Sequence, residues 1–236
     1  MKAARLLSLG AKALLTSFEE ALAPGACVVC DRRLLHGERH LCGPCYANLP
    51  LSPSCDEIYQ KFINNFSADN IAVSRASGLI AVDEERAALK IVHALKYEGR
   101  RSIVSRFAEA FAARLIRDGF TGYDAIIPLP LHPAKKRERG YNQAYLISDS
   151  IAEPLGSRSN EKIIYRKRYT QTQTALNAAE RKNNIEGVFE CRGNAAGGKF
   201  LVVDDVMTTG STINSAALAL LNAGAASVDA AALVIA

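Results

Sequence analysis

A chain of 236 residues, 49% of them hydrophobic and with no low-complexity tract, can hold one substantial domain and a small appendage, which excludes a disordered polyelectrolyte. A net charge of +5 permits phosphate-bearing or nucleic-acid partners without specifying them. No stretch approaches the roughly 20 apolar residues of a membrane span, and none is expected.

Residues 1–23 begin with Lys2 and Arg5 before an apolar run, and Ala21-Leu22-Ala23 imitates a signal-cleavage site. Lys12, Glu19 and Glu20 interrupt that pattern. Leu6, Leu7, Leu14, Leu15, Phe18 and Leu22 are spaced as one face of a helix instead, so an amphipathic helix, no export and a cytoplasmic protein are expected.

Residues 24–55 carry Cys27-x2-Cys30-x11-Cys42-x2-Cys45. Two C-x-x-C pairs separated by a short loop can converge on one tetrahedral site, and thiolates suit Zn2+. A segment this small cannot bury a core, so the metal would supply its folding energy. A disulfide pair is disfavoured without signs of secretion, and a redox C-x-x-C is disfavoured because two pairs occur together. His36 and His40 lie between the pairs as substitute ligands, while Cys55 and Cys191 read as ordinary thiols.

Residues 51–75 mix Pro, Ser and Asn and read as a linker into a main domain over 76–236. Leu79 to Val82 reads as a first strand. Ala88, Ile91, Val92 and Leu95 mark one face of a helix ending in Lys96-Tyr97-Glu98-Gly99-Arg100-Arg101. That ending fits a capped, cation-bearing helix terminus and a phosphate-facing turn equally. Ile103, Val104, Phe107, Phe111 and Leu115 define another helix, and Tyr123 to Pro130 a short buried strand running into a rigid loop. Beyond it, Lys135, Lys136, Arg137 and Arg139 cluster in five positions, either as a solvated face or around an anion. Tyr141, Ala144, Tyr145, Ser148 and Ile151 make the next helix. From Tyr165 to Phe189 the apolar period fails, and Arg166-Lys167-Arg168 and Thr170 to Gln173 read as a loop that closes over a ligand or as a plain surface ribbon.

Phe200-Leu201-Val202-Val203 is an unbroken apolar run, as a parallel strand buried on both faces requires, and Asp204 and Asp205 follow where that strand is expected to end. Thr208-Thr209-Gly210-Ser211-Thr212 then turns into a helix whose apolar face is Ile213, Ala216, Ala217, Leu220 and Leu221, and Val228 to Ile235 forms a last strand. A strand, a turn with glycine and a helix N-terminus make an anion site from unpaired backbone N–H groups. Two acids beside it would repel a phosphate, so they are better suited to sugar hydroxyls, directly or through Mg2+. A ligand with phosphate at one end and vicinal hydroxyls in its middle is a phosphorylated ribose. The stretch resembles the signature of type I phosphoribosyltransferases, which bind phosphoribosyl pyrophosphate (PRPP). The bland alternative is a solvated Asp-Asp turn before a capped helix. Strands alternating with helices imply an α/β fold, a parallel sheet with ligands at the strands' carboxyl ends.

With these motifs the chain resembles the ComF family from Cys27 onward. The residues that carry the likeness are the paired C-x-x-C motifs, Leu95-Lys96-Tyr97 with Gly99, Pro128-Leu129-Pro130-Leu131-His132, Arg139-Gly140-Tyr141-Asn142-Gln143, Thr172-Gln173, Leu176, Arg181, Asn184, Phe189 and the acid-bearing stretch. The resemblance implies a type I phosphoribosyltransferase-like domain behind a zinc module. It implies PRPP bound at Asp204, Asp205, Thr208, Thr209, Gly210, Ser211 and Thr212, with Pro130, Lys135 and Arg139 toward the pyrophosphate. It puts Arg181 with the two acids in catalysis and a hood over Thr172 to Asn184. Lys135 stands where relatives commonly have Arg, and relatives are expected to run a few residues past Ala236.

Three functions follow as expectations: a phosphoribosyltransferase, that is a glycosyltransferase of nucleotide metabolism, using Mg2+ with PRPP and an unread acceptor; a single-stranded DNA-binding protein of natural transformation, working with competence or DNA-processing proteins; and a PRPP sensor without turnover. Retained acids favour ligand binding, and the absence of Trp weakens the nucleic-acid case.

Overall fold

The computed structural model describes residues 25–167 and 188–236. The expected helix over 1–23 lies outside the described residues, as do the hood segment, Arg168, Arg181 and Asn184. By its internal contacts the chain divides between Leu49 and Pro50.

The first unit is a cysteine module built on turns. Ala26 and Arg33 form an antiparallel bridge, the Val28 N–H donates to the His40 carbonyl at 2.9 Å, and helix α1 (Gly43–Ala47) starts at Cys42 with Pro44 in its first turn. Among the described residues its buried apolar and thiol side chains are Cys27, Leu34, Leu41 and Cys42, a small set for a core.

The second unit is organised around a four-stranded parallel sheet in the order β1 (Ala76–Ala81), β6 (Ser227–Ile235), β5 (Lys199–Met207), β2 (Ala125–Pro128). Every β6 residue after Ser227 is buried, as expected of a parallel strand covered on both faces. Gly78 lets β1 lie close to β6, because a Cβ there would collide with Ile235. Flanking helices are α2 (Cys55–Ile63), α3 (Ala87–Tyr97), α4 (Ser105–Arg117), α5 (Pro133–Arg139), α6 (Gln143–Ala152) and α7 (Ser211–Asn222). Helix α7 buries Ile213, Ala216, Ala217 and Leu220 with Phe200 and Val202 of β5, while α4 packs on β1 and α6. Two short strands, β3 (Ile164–Arg166) and β4 (Phe189–Cys191), pair antiparallel beside α7.

The expectation of a linker over 51–75 is corrected here. Ser54 and Glu57 form a reciprocal capping box, and Ile58 and Phe62, one turn apart, bury into the same core as α7. At the amino end of β6 a buried carboxylate is satisfied structurally: Tyr123 OH donates to Asp229 at 2.6 Å and Arg75 pairs with it at 2.8 Å. That end of the sheet is a polar staple; the acid pair lies at the other.

Candidate functional site

Strand β5 does not stop at Val203. It pairs with β6 as far as Met207 opposite Ile235, whereas its pairing with β2 ends at Val203 opposite Pro128. Asp204 and Asp205 therefore sit inside a strand, at the point where one neighbour has turned away into the loop after Pro128. The Leu129 N–H closes that seam on the Val203 carbonyl at 2.8 Å.

Successive strand residues face opposite sides of a sheet, which gives the two acids different surroundings. Asp205 is 5% exposed and paired with the Lys96 ammonium of α3 at 2.9 Å. Asp204 accepts the Asp205 backbone N–H at 2.8 Å and has no ion pair of its own among the described residues. Burial, and then the neighbouring Asp205 charge, push its carboxyl up to about 8. Asp204 thus holds its proton near neutrality beside an Asp205 that is paired with Lys96.

After Met207 the chain turns through Thr208 and Thr209, both exposed, to Gly210 at φ +76°, which caps α7. The Thr209 and Ser211 hydroxyls meet at 2.8 Å, and Thr212 is exposed in the first helical turn. This arrangement leaves hydroxyls and helix N–H groups to receive an anion. Sequence reasoning missed what packs behind the turn. The Phe62 ring of α2 occupies the space where a Cβ on Gly210 would stand. The Asn65 side chain donates to the Thr209 carbonyl at 3.4 Å, and Asn214 ties α7 to the Asn70 carbonyl at 2.7 Å. The serviceable signal was Ser54-x-x-Glu57 with Ile58 and Phe62 at helical spacing.

Pro130 lies in the loop after β2 and lines a cleft of about 680 Å3 between that loop, α5 and β3. Lys135 is exposed on α5. Arg139 is held elsewhere: its guanidinium lies 4.9 Å from the Tyr97 ring centre, donates to Tyr97 OH at 3.1 Å and donates to Gln143 Oε1 at 3.1 Å. Arg101 stacks on Tyr141 at 4.2 Å, and Tyr141 OH donates to the Leu95 carbonyl. The two motifs around Lys96 and Arg139 are stitched together, which fixes the residues on either side of Lys96.

In the first unit the ligand atoms of Cys27, Cys30, Cys42 and Cys45 all lie within 4.8 Å of one another, so these four could hold a metal ion. Backbone N–H groups point at the sulfurs, Cys42 N–H at Cys27 and Cys45 N–H at Cys42, both at 3.5 Å. The Cys45 N–H brings the Cys42 thiol down to about 6, whereas burial raises that of Cys45. Arg32 and Glu38 pair at 3.0 Å, and Glu38 also accepts the Leu35 and Gly43 N–H groups, which stiffens the loop between the cysteine pairs.

Residues 143–235, from α6 through β6, match the family model of the phosphoribosyl transferase domain. Over 143 residues the chain is 34% identical to DNA utilization protein YhgH of Salmonella typhi, covering 59% of this chain and 63% of that protein. It is 37% identical over 94 residues to competence protein F of Haemophilus influenzae, covering 39% and 41%, and 30% identical over 136 residues to competence protein ComFC of Bacillus subtilis, covering 56% and 52%. Through these matches the chain is similar to the ComF family. The matches span about two-fifths to two-thirds of those relatives' own lengths. The chain has a phosphoribosyltransferase-type parallel sheet, preceded in sequence by a cysteine cluster, and among the described residues no helix is long and apolar enough to cross a membrane.

Proposed function

We propose that this protein binds PRPP at the carboxyl end of β5 and transfers its phosphoribose to a nitrogen acceptor, releasing pyrophosphate. The observation that carries the proposal is the position of Asp204 and Asp205 where β5 outruns β2, followed at once by the hydroxyl-rich turn and the start of α7. In this reading Thr208 to Thr212 receive the 5′-phosphate, the acids hold ribose hydroxyls, and the loop of Pro130 with Lys135 faces the pyrophosphate. The acceptor's nitrogen lone pair forms the bond to ribose C1, the C1–O bond breaks with its electrons passing to pyrophosphate, and the nitrogen's proton leaves to solvent. No side chain serves as nucleophile; the protein's share is orientation and charge. Arg181 belongs to this reading by family likeness alone.

Lys96 already balances Asp205, so the residues suit a ligand that brings hydroxyls and its own cation better than a bare ion. Mg2+ fits as a companion of the pyrophosphate, where it would neutralise the leaving group. The four thiols, with their backbone donors, are a donor set for a closed structural Zn2+. We propose further that the protein acts in DNA uptake, a reading supported by the competence names of the relatives it matches, and that it does so in the cytoplasm.

Thermal unfolding tests the ligand directly. PRPP with Mg2+ should raise the melting temperature of the wild type, by the equivalent of about 2.7 kcal/mol at a hundredfold excess over Kd. Asp204→Asn/Asp205→Asn should show no shift, and equal shifts in both proteins would place PRPP elsewhere. Pyrophosphate release separates turnover from sensing. A second reading, single-stranded DNA binding, is favoured by Lys136, Arg137 and Arg166 around the cleft beside Pro130. It requires log affinity to fall with log salt by roughly 0.7 per phosphate contacted; salt-insensitive binding would exclude it.

A further inference from the structure

The cleft beside Pro130 reaches from the loop assigned above to pyrophosphate across to β3, and its β3 side has a composition that pyrophosphate alone does not explain. Its floor is apolar, formed by Pro128, Pro130, Leu131, Pro133 and Ile164, with the Tyr165 side chain beside them. Its rim is cationic. Lys136, Arg137, Lys162 and Arg166 line it against a single acid, Glu161. Lys136 pairs with that acid at 3.4 Å, and the Arg166 guanidinium lies 5.8 Å from the centre of the Phe189 ring. Arg137 and Lys162 have no ionic partner among the described residues. The volume of about 680 Å3 is well above what a lone purine or pyrimidine needs and lies in the range of ordinary small-molecule sites. The cleft also adjoins the acids through the backbone: Pro128, on its floor, is in register with Val203, the residue before Asp204.

An apolar floor takes a flat ring, and unpaired cations at its rim take a phosphate attached to that ring. We infer that this cleft is the acceptor subsite and that the acceptor is a nucleotide, free or at the end of a nucleic-acid strand, not a bare base. The inference rests on the phosphoribosyl-transfer reading for the word acceptor; the nucleotide preference stands on the cleft alone.

The test uses the zinc-loaded full chain and compares adenine, adenosine, AMP and a 5′-phosphorylated decanucleotide by equilibrium binding. AMP should bind at least about tenfold more tightly than adenosine, a difference of about 1.4 kcal/mol assigned to the phosphate. Arg137→Ala/Lys162→Ala should bring that ratio close to one, and the charge-conserving Arg137→Lys/Lys162→Arg should retain most of it. Both positions are exposed, so folding is not at stake. A decanucleotide that binds far more tightly than AMP supports the strand-end form, and parity supports the free nucleotide. Equal binding of adenosine and AMP, or a phosphate preference that survives removal of both cations, overturns the inference. AMP preference in a wild type that shows no PRPP shift keeps the nucleotide cleft and overturns the transfer reading only.

Discussion

At the scale of single residues, the acid pair is asymmetric, and the asymmetry has a measurable sign. Asp205 is neutralised by Lys96, whereas Asp204 is held up to about 8 by burial and by Asp205. In the unfolded chain Asp204 would titrate near 4. Between those values the folded state binds a proton that the unfolded state does not, so this residue makes stability fall as pH rises from about 4 to about 8, with a slope of at most about 1.4 kcal/mol per pH unit. Asp204→Asn removes the slope. The variant should match the wild type at pH 4 and become progressively more stable than it toward pH 8, as read by urea unfolding at each pH. A stability difference that stays flat or reverses across this range would show Asp204 to be ionised in the fold. The partnership of Asp205 with Lys96 could not be seen in the sequence, since the two lie more than a hundred positions apart and the lysine read equally well as a helix-terminal charge.

Elements were legible where burial alone decided them. Leu79 to Ala81, Ile126 and Ile127, Phe200 to Val203 and Val228 to Ile235 are all strands, because continuous apolar runs have no other home in a sheet covered on both sides. The end of β5 was not legible. Its last four residues are held by β6 alone, and the acids interrupt the apolar pattern without interrupting the ladder. Helix α2 was lost to its Pro- and Asn-rich flanks although its cap was written at Ser54 and Glu57. That helix makes the phosphate turn a two-sided structure, with Phe62 seated on Gly210. Gly210→Ala therefore meets two penalties, a left-handed backbone costing about 1–2 kcal/mol and a collision with the ring. Phe62→Ala alone should cost about 3–5 kcal/mol through the cavity it leaves. In the double variant the collision is gone, so Gly210→Ala should cost clearly less in the Phe62→Ala background than in the wild type. Additive costs in this double-mutant cycle would mean that ring and turn are energetically independent.

At the scale of the whole molecule, the chain combines two ways of staying folded. The sheet unit excludes water from a continuous core in which β5 and β6 are covered from both faces. Among its described residues the cysteine module has a handful of buried side chains and a set of turns, so hydrophobic burial at about 25 cal/mol per Å2 contributes little there against the entropy of ordering them. The four free thiols, which could hold a metal ion, are the source of stability we propose for it. Purified protein should accordingly carry about one zinc per chain. Displacing it with a thiol-reactive mercurial, or replacing Cys42 with Ser, should abolish hydrogen-exchange protection at Val28, whose N–H bonds to His40. Protection at Leu201 to Val203 and Ala230 to Ala232 should persist, since the contact division at Leu49 leaves those strands supported by their own unit. Protein that lacks metal and yields titratable disulfides would remove the zinc assignment. Loss of protection in the central strands on metal release would show instead that the sheet depends on the module for its stability.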